Sequence, residues 1–271
     1  MLTLSITFGS LLAFAAWELY RPRRRLEFPA LQRRLANIGI WLFNIILAGL
    51  IFVQPDQMRA PWHLAPWLSF PLGFLILDFL IYAVHRALHA VPLLWRLHAL
   101  HHSDPDPDVT TAVRHHPIEN LMTTAFYWFV IVVIGTPGPV IAAHAATVFV
   151  LAVATHANTT CWPRWIERLL RPVVITLDLH LMHHSAAAEH YNTNYGAVFS
   201  FWDRLFGTLR RADTDQLRFG VDDLPGETSL GLIDQLATPW RLRRVSPAWR
   251  SPADIAMREI EEHKLKYWKM F

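Results

Sequence analysis

Five apolar stretches, each close to the length of a bilayer crossing, constrain this chain more than any other feature. They run over about 2–20, 36–53, 67–84, 121–135 and 140–155, against the ~20 residues of helix that a full span requires. The last two are slightly short and flank Thr136-Pro137-Gly138-Pro139, where proline and glycine break a helix and make a turn. They read as a hairpin. The first has no basic leader and no small-residue cleavage site, and it runs into the arginines at 21–25. It therefore reads as a retained membrane helix rather than a signal peptide. Composition agrees: of 271 residues, 53% are hydrophobic and 17% charged, the balance of a membrane protein. The expected fold class is all-α: an integral membrane helical bundle of about four or five spans, one domain over 1–271, with a helical cytoplasmic cap.

Sidedness follows from arginine. The loop between the first two spans carries Arg21, Arg23, Arg24, Arg25, Arg33 and Arg34, whereas the loop from 54 to 66 carries only Arg59. Basic loops face the cytoplasm, so 85–119 and everything after Thr155 are expected on that side. Histidine played no part in drawing this topology, yet most of the fifteen histidines then gather on one face.

Their spacing is that of helical metal ligands. His85 and His89 form HxxxH, and His98-Ala99-Leu100-His101-His102 returns 82 positions later as His180-Leu181-Met182-His183-His184. Residues three and four apart share a helix face, so each set aims imidazoles one way, and His156 at the end of the fifth stretch joins them. Nine imidazoles exceed the needs of one ion and suit a pair of transition metals. A lone HxxxH is more often two ordinary histidines; two HxxHH sets on one side are not. The topology places His63, His144 and His263 elsewhere, without a ligand role. His116 is a further candidate, as ligand or orienting neighbour, and His115 is not expected to bind metal. Asp78, two turns before His85, is a candidate to hold a ligand's second ring nitrogen, because a buried intramembrane carboxylate needs a purpose; structural ion pairing is the alternative. Asn158 is a candidate oxygen donor to a metal or its water, or else a helix cap. Asp104-Pro105-Asp106-Pro107-Asp108 lacks the glycine and glutamate of a calcium loop and reads as a rigid, solvated turn.

Other classes recede. A net charge of +3, with arginines in short clusters, is no nucleic-acid footprint. Cys161 is the one cysteine, so no disulfide or cysteine metal site can form within the chain.

From about Asp78 to Thr208 the sequence resembles the fatty acid hydroxylase superfamily, which includes sterol desaturases, sterol methyl oxidases and alkylglycerol monooxygenase. DFLIYAVHRALH, LWRLHALHHSDPDPDVTTAVRHHPIE, HAN at 156–158, HLMHHS and NTNYGAVFSFWDRLFGTLRR carry the resemblance. It implies a di-iron oxidase at the cytosolic membrane surface, with iron on His85, His89, His98, His101, His102, His156, His180, His183 and His184. It also matches an HPxE signature to His116, Pro117 and Glu119, and places Tyr195 and Asp203 near the site in a structural motif. His115 stands where relatives usually carry an aromatic residue, and His190 where an acid is common. The implied reaction is hydroxylation or desaturation of a lipid C–H bond. Such bonds call for a redox metal, which zinc is not, with O2 as co-substrate. The chain has no GxGxxG fingerprint, so electrons are expected from a separate cytochrome b5 or ferredoxin-type donor with its reductase. A zinc hydrolase is the competing class, against which stands the absence of HExxH; a non-enzymatic metal transporter or store would place its ionisable residues within the spans.

Overall fold

The computed structural model describes residues 2–51, 65–160, 163–211, 213–214, 217–222, 224 and 231–242; Arg59, His63, Cys161 and His263 lie outside them. Among the described residues the chain is helical, with isolated β-bridges in place of strands. The long helices are α1 (Leu2–Tyr20), α2 (Ala30–Ile51), α3 (Pro66–Ala90), α5 (Pro117–Ile134) and α6 (Gly138–His156). All five are long and apolar enough to cross a membrane. The shorter ones are α4 (Pro92–His102), α7 (Arg164–Leu170), α8 (Leu177–His183), α9 (Ala188–Tyr191), α10 (Phe201–Leu205) and α11 (Leu232–Arg241).

The long helices turn much apolar surface outward: Leu12, Leu19, Ile46 and Phe129 are all exposed. Water would not tolerate so continuous an apolar belt, whereas lipid tails cover it without cost. Inward, Leu11 of α1 meets Val153 of α6 with Val109 and Ala112 between them, and Leu77, Ile131 and Ile141 join α3, α5 and α6.

Helix ends follow local chemistry. Proline occupies the first turn of α3, α4, α5 and α6, where its missing N–H costs nothing. Gly135 ends α5 at φ +68°, a left-handed cap that suits glycine, and the hairpin turns back within three residues. Two elements are longer than the apolar runs. α3 continues past Val84 to carry His85 and His89. α2 begins six residues before Ala36 and takes in Arg33 and Arg34, because both charges are matched inside the fold.

Their partners correct the expectation for the Asp-Pro repeat. Asp104, Asp106 and Asp108 are buried rather than solvated. Arg33 Nη1 donates to Asp104 at 2.9 Å and Nη2 donates to Asp108, while Arg34 Nε reaches Asp108 at 2.8 Å. Asp106 accepts from the backbone N–H groups of Glu27 and Phe28, each at 2.8 Å. Asp108 also caps the 3-10 turn Val109–Val113 in a reciprocal box with Thr111. Burial alone would raise the Asp104 carboxyl; the charges of Arg33 and Arg114 hold it down to about 2. The repeat thus clasps the α1–α2 linker to the end of α4 and fixes where α4 points its histidines.

Candidate metal centre

α3 supplies His85 and His89, α4 supplies His98, His101 and His102, and α6 ends on His156. α8 supplies His180 and His183, with His184 as its C-terminal cap. The nine converge as two groups: His85, His89, His98, His102 and His183 in one, and His101, His156, His180 and His184 in the other. Within each group the facing nitrogens lie within 4.8 Å of one another. The repeated motif now has a geometric meaning. Each HxxHH gives its first and last histidines, a full turn apart on one face, to one group and sends the middle one to the other. The two arms are crossed, because α4 gives two to the first group and α8 gives two to the second.

In the second group the Nε2 atom of His156 lies 3.3, 3.0 and 3.1 Å from those of His101, His184 and His180, and the last two are 3.2 Å apart. A metal with nitrogens at about 2.1 Å separates neighbouring ligands by about 3.0 Å at right angles and about 3.4 Å in a tetrahedron; these four distances fall in this range. In the first group His183 Nε2 and His85 Nε2 are 3.0 Å apart. His98 Nε2 and both ring nitrogens of His102 are buried without a hydrogen-bond partner among the described residues. Such atoms cost free energy unless something accepts their lone pairs.

Four of the outer ring nitrogens are tied down. Nδ1 of His85 donates to the Tyr195 carbonyl at 2.9 Å, that of His183 to Thr193 at 2.6 Å and that of His156 to Ala152 at 2.6 Å, while His98 Nδ1 meets Glu119 at 2.9 Å. Each bond selects the tautomer whose Nε2 lone pair faces inward. Burial first, and then the crowding of imidazoles, push His101, His102, His180, His183 and His184 well below the ordinary histidine range. They are neutral, the form that binds metal. The donor set therefore fits two first-row transition ions.

Three side chains raised by the sequence lie elsewhere. His116 accepts from Ile118 N with Nδ1, capping α5, and turns Nε2 to the Leu236 carbonyl, so it faces away from both groups. Asp78 holds no ligand ring; its carboxylate accepts from Val198 N, Phe199 N and Trp202 Nε1, anchoring the 195–202 loop on α3. Asn158 is neither an oxygen donor to the site nor a plain helix cap: its side chain both accepts from and donates to the backbone of Arg24, at 3.0 and 2.9 Å. His144, given no ligand role, lies deep in the bundle, bonded to Tyr127.

Other residues support the rings. Glu119 joins His98 to His115, whose Nδ1 is 3.0 Å from the same oxygen, and the His115 ring lies flat on His101 at 4.4 Å. Trp95 backs His89 and His102 and is stacked on Tyr191 at 5.0 Å. Asp203 accepts from Tyr195 N, Gly196 N and Thr208 Oγ1 at 2.7, 2.8 and 2.7 Å, which fixes the carbonyl that orients His85. A Cβ on Gly196 would come within 2.6 Å of the Phe199 oxygen, so only glycine fits this turn. The match to HPxE marked Glu119 without a role; Trp95 and Thr193 fell inside the matched segments with no role attached, and Tyr191 gave no sequence signal.

A cavity of about 530 Å³ touches His85, His98, His101, His156 and His180 and descends between α3, α5 and α6 to Tyr127 and His144. Its walls are mainly apolar, and it runs into the part of the bundle that lipid surrounds.

A sequence model of the fatty acid hydroxylase family matches residues 70–208, more than half the chain, and the chain belongs to that family. Among curated relatives, the ornithine lipid hydroxylase OlsE of Rhizobium tropici is 31% identical over 215 residues, covering 78% of this chain and 60% of that protein. The alkylglycerol monooxygenase of Xenopus tropicalis is 32% identical over 170 residues, 61% of this chain and 36% of the other. The Delta(7)-sterol 5(6)-desaturase erg3B of Aspergillus fumigatus is 28% identical over 202 residues, 72% and 56% respectively. The chain thus spans between 36% and 60% of these relatives' lengths. No solved structure matches.

Proposed function

We propose that the protein is a membrane di-iron oxidase that hydroxylates or desaturates a lipid C–H bond, using O2 and electrons from a separate donor. One observation carries the reading: two all-histidine groups sit at the head of an apolar cavity that runs down among membrane-length helices. Hydroxylation consumes the C–H bond, one O2, two electrons and two protons, and yields the alcohol and water. Iron on His85, His89, His98, His102 and His183, and on His101, His156, His180 and His184, would supply the redox steps that make O2 reactive toward an unactivated carbon.

The chain's own contribution is positional. Leu80, Val84, Val148 and Ala152 line the cavity, hold an alkyl chain and keep water from it, and the carbonyl-bonded histidines hold their lone pairs in place before anything binds. The relatives named as hydroxylase, monooxygenase and desaturase support an oxidative reaction on a lipid. The arginines at 21–25 favour the cytoplasmic side for the site, within reach of a cytochrome b5 or ferredoxin-type donor.

The test is metal analysis of active protein together with lipid analysis of cells with and without it, in oxygen. We expect iron at two per chain, one for each group, and an oxygenated or newly unsaturated lipid that needs O2. Active protein containing zinc alone and indifferent to oxygen would overturn the reading in favour of a hydrolase.

A further inference from the structure

At the far end of the cavity stands a polar pair that the oxidation does not use. His144 is completely buried. It lies twelve residues before His156 on the same helix, about 18 Å below it at 1.5 Å per residue. Its Nδ1 is 2.9 Å from the Tyr127 hydroxyl. Both side chains line the cavity, and Tyr127 packs on the cluster of Leu77, Ile131 and Ile141, which closes the floor beneath them. Polar groups at this depth are costly and call for a partner or a purpose.

Proton placement fixes what the pair can offer. His144 Nε2 has no hydrogen bond among the described residues and faces Asp78 Oδ1 at 3.9 Å. That carboxylate already takes three N–H donors, so it is a fixed acceptor and draws the imidazole proton to Nε2. Nδ1 is then the acceptor, and the Tyr127 O–H donates to it. The phenol oxygen keeps a lone pair, and its one proton is committed. The floor is therefore an acceptor that lacks a donor.

We infer that Tyr127, held by His144, binds a hydroxyl group carried by the lipid at the end remote from the carbon that is oxidised. A methyl terminus brings no proton to the phenol oxygen. A carboxylate brings none either, and sets its charge against that of Asp78. This inference rests on the lipid-oxidase reading for the phrase "carbon that is oxidised"; the binding site itself is tested without turnover.

Equilibrium binding of 1-hexadecanol, hexadecane and hexadecanoic acid to the full chain in lipid nanodiscs provides the test. The unmodified protein should hold the alcohol about tenfold more tightly than the other two, the scale of one neutral hydrogen bond. Tyr127→Phe keeps the ring and should reduce the alcohol to the level of hexadecane, with no change in hexadecane binding. Equal binding of alcohol and alkane by the unmodified protein, which needs no variant to fold, overturns the inference, as does an alcohol preference that survives Tyr127→Phe. Lipid oxidation with no alcohol preference would sink this inference alone, and alcohol binding without oxygen-dependent turnover would sink the oxidase reading alone.

Discussion

Glu119 shows how much of the site depends on a single carboxylate set between the two histidine groups. One oxygen of its carboxylate meets Nδ1 of His98 at 2.9 Å and Nδ1 of His115 at 3.0 Å. His98 belongs to one histidine group, and His115 lies against His101 of the other, so one carboxylate steadies both. Replacing it with alanine leaves His98 free to rotate. Glu119→Ala should weaken metal retention at the first group about 10- to 100-fold, the usual cost of losing such a partner, with the second group losing less. Titration with a competing chelator reads the two groups separately, and retention equal to that of the unmodified protein would show that Glu119 orients nothing. The periodic part of this arrangement was legible: HxxxH and the two HxxHH sets name eight of the nine converging histidines, and His156 came from its place at the end of the fifth apolar stretch. Whether His115 or His116 faces the site was not, because the two stand in the turn between the 3-10 helix and α5, where no repeat sets direction. His116 is drawn off by the cap of α5, and Asp78 by the backbone of Val198 and Phe199. The first is a bond within the turn, to Ile118 N two residues on, and the second reaches a segment 120 residues away; spacing shows neither.

Among elements, the clasp between α2 and the Asp-Pro repeat has the greatest reach. Arg33 has no exposed surface and pairs with Asp104 and Asp108, themselves buried. Removing one member of such a set strands the others in a poorly hydrated interior. Arg33→Ala should cost about 3–5 kcal/mol, read as a lower midpoint in thermal or denaturant unfolding, and should loosen His101 and His102 at the end of α4. A midpoint within experimental error of the unmodified protein would mean that the clasp adds nothing. Apolar length found all five long helices, yet misjudged the start of α2, since charges at 33 and 34 look like a boundary when their partners lie some 70 residues away. The same remoteness made the aspartates look solvated. α11 escaped the reading; it is amphipathic, tied down by Gln235 to Asn37 at 2.7 Å and by Arg96 to the carbonyls of Pro239 and Leu242.

For the whole molecule, the dominant titration is that of histidines buried in the neutral form. His101, His102, His180, His183 and His184 are all pushed below 6.5 by burial and by one another, whereas in the unfolded chain they return to about 6.5. Below that pH the unfolded state binds more protons than the folded one, so stability rises with pH through this range and levels off above it. Metal-free protein should therefore show a constant unfolding midpoint above about pH 7 and a falling one from about pH 6.5 downward. Unfolding scans across this range check the sign, and a midpoint that climbs on acidification would contradict neutral burial.

The crossed arrangement of the two arms also bears on how the protein is made. His101 emerges from the ribosome before the α5–α6 hairpin, His156 as the hairpin's last residue, and His180 and His184 after it. The second group exists only once that hairpin has entered the bilayer and come back. A chain whose hairpin failed to return would strand His156 and α8 on the wrong side, leaving His101 as one member of a set of four. Each group draws on both arms, so neither can fill on a misthreaded chain. The order of the histidines along the chain thus ties the assembly of both groups to completed threading of the α5–α6 hairpin.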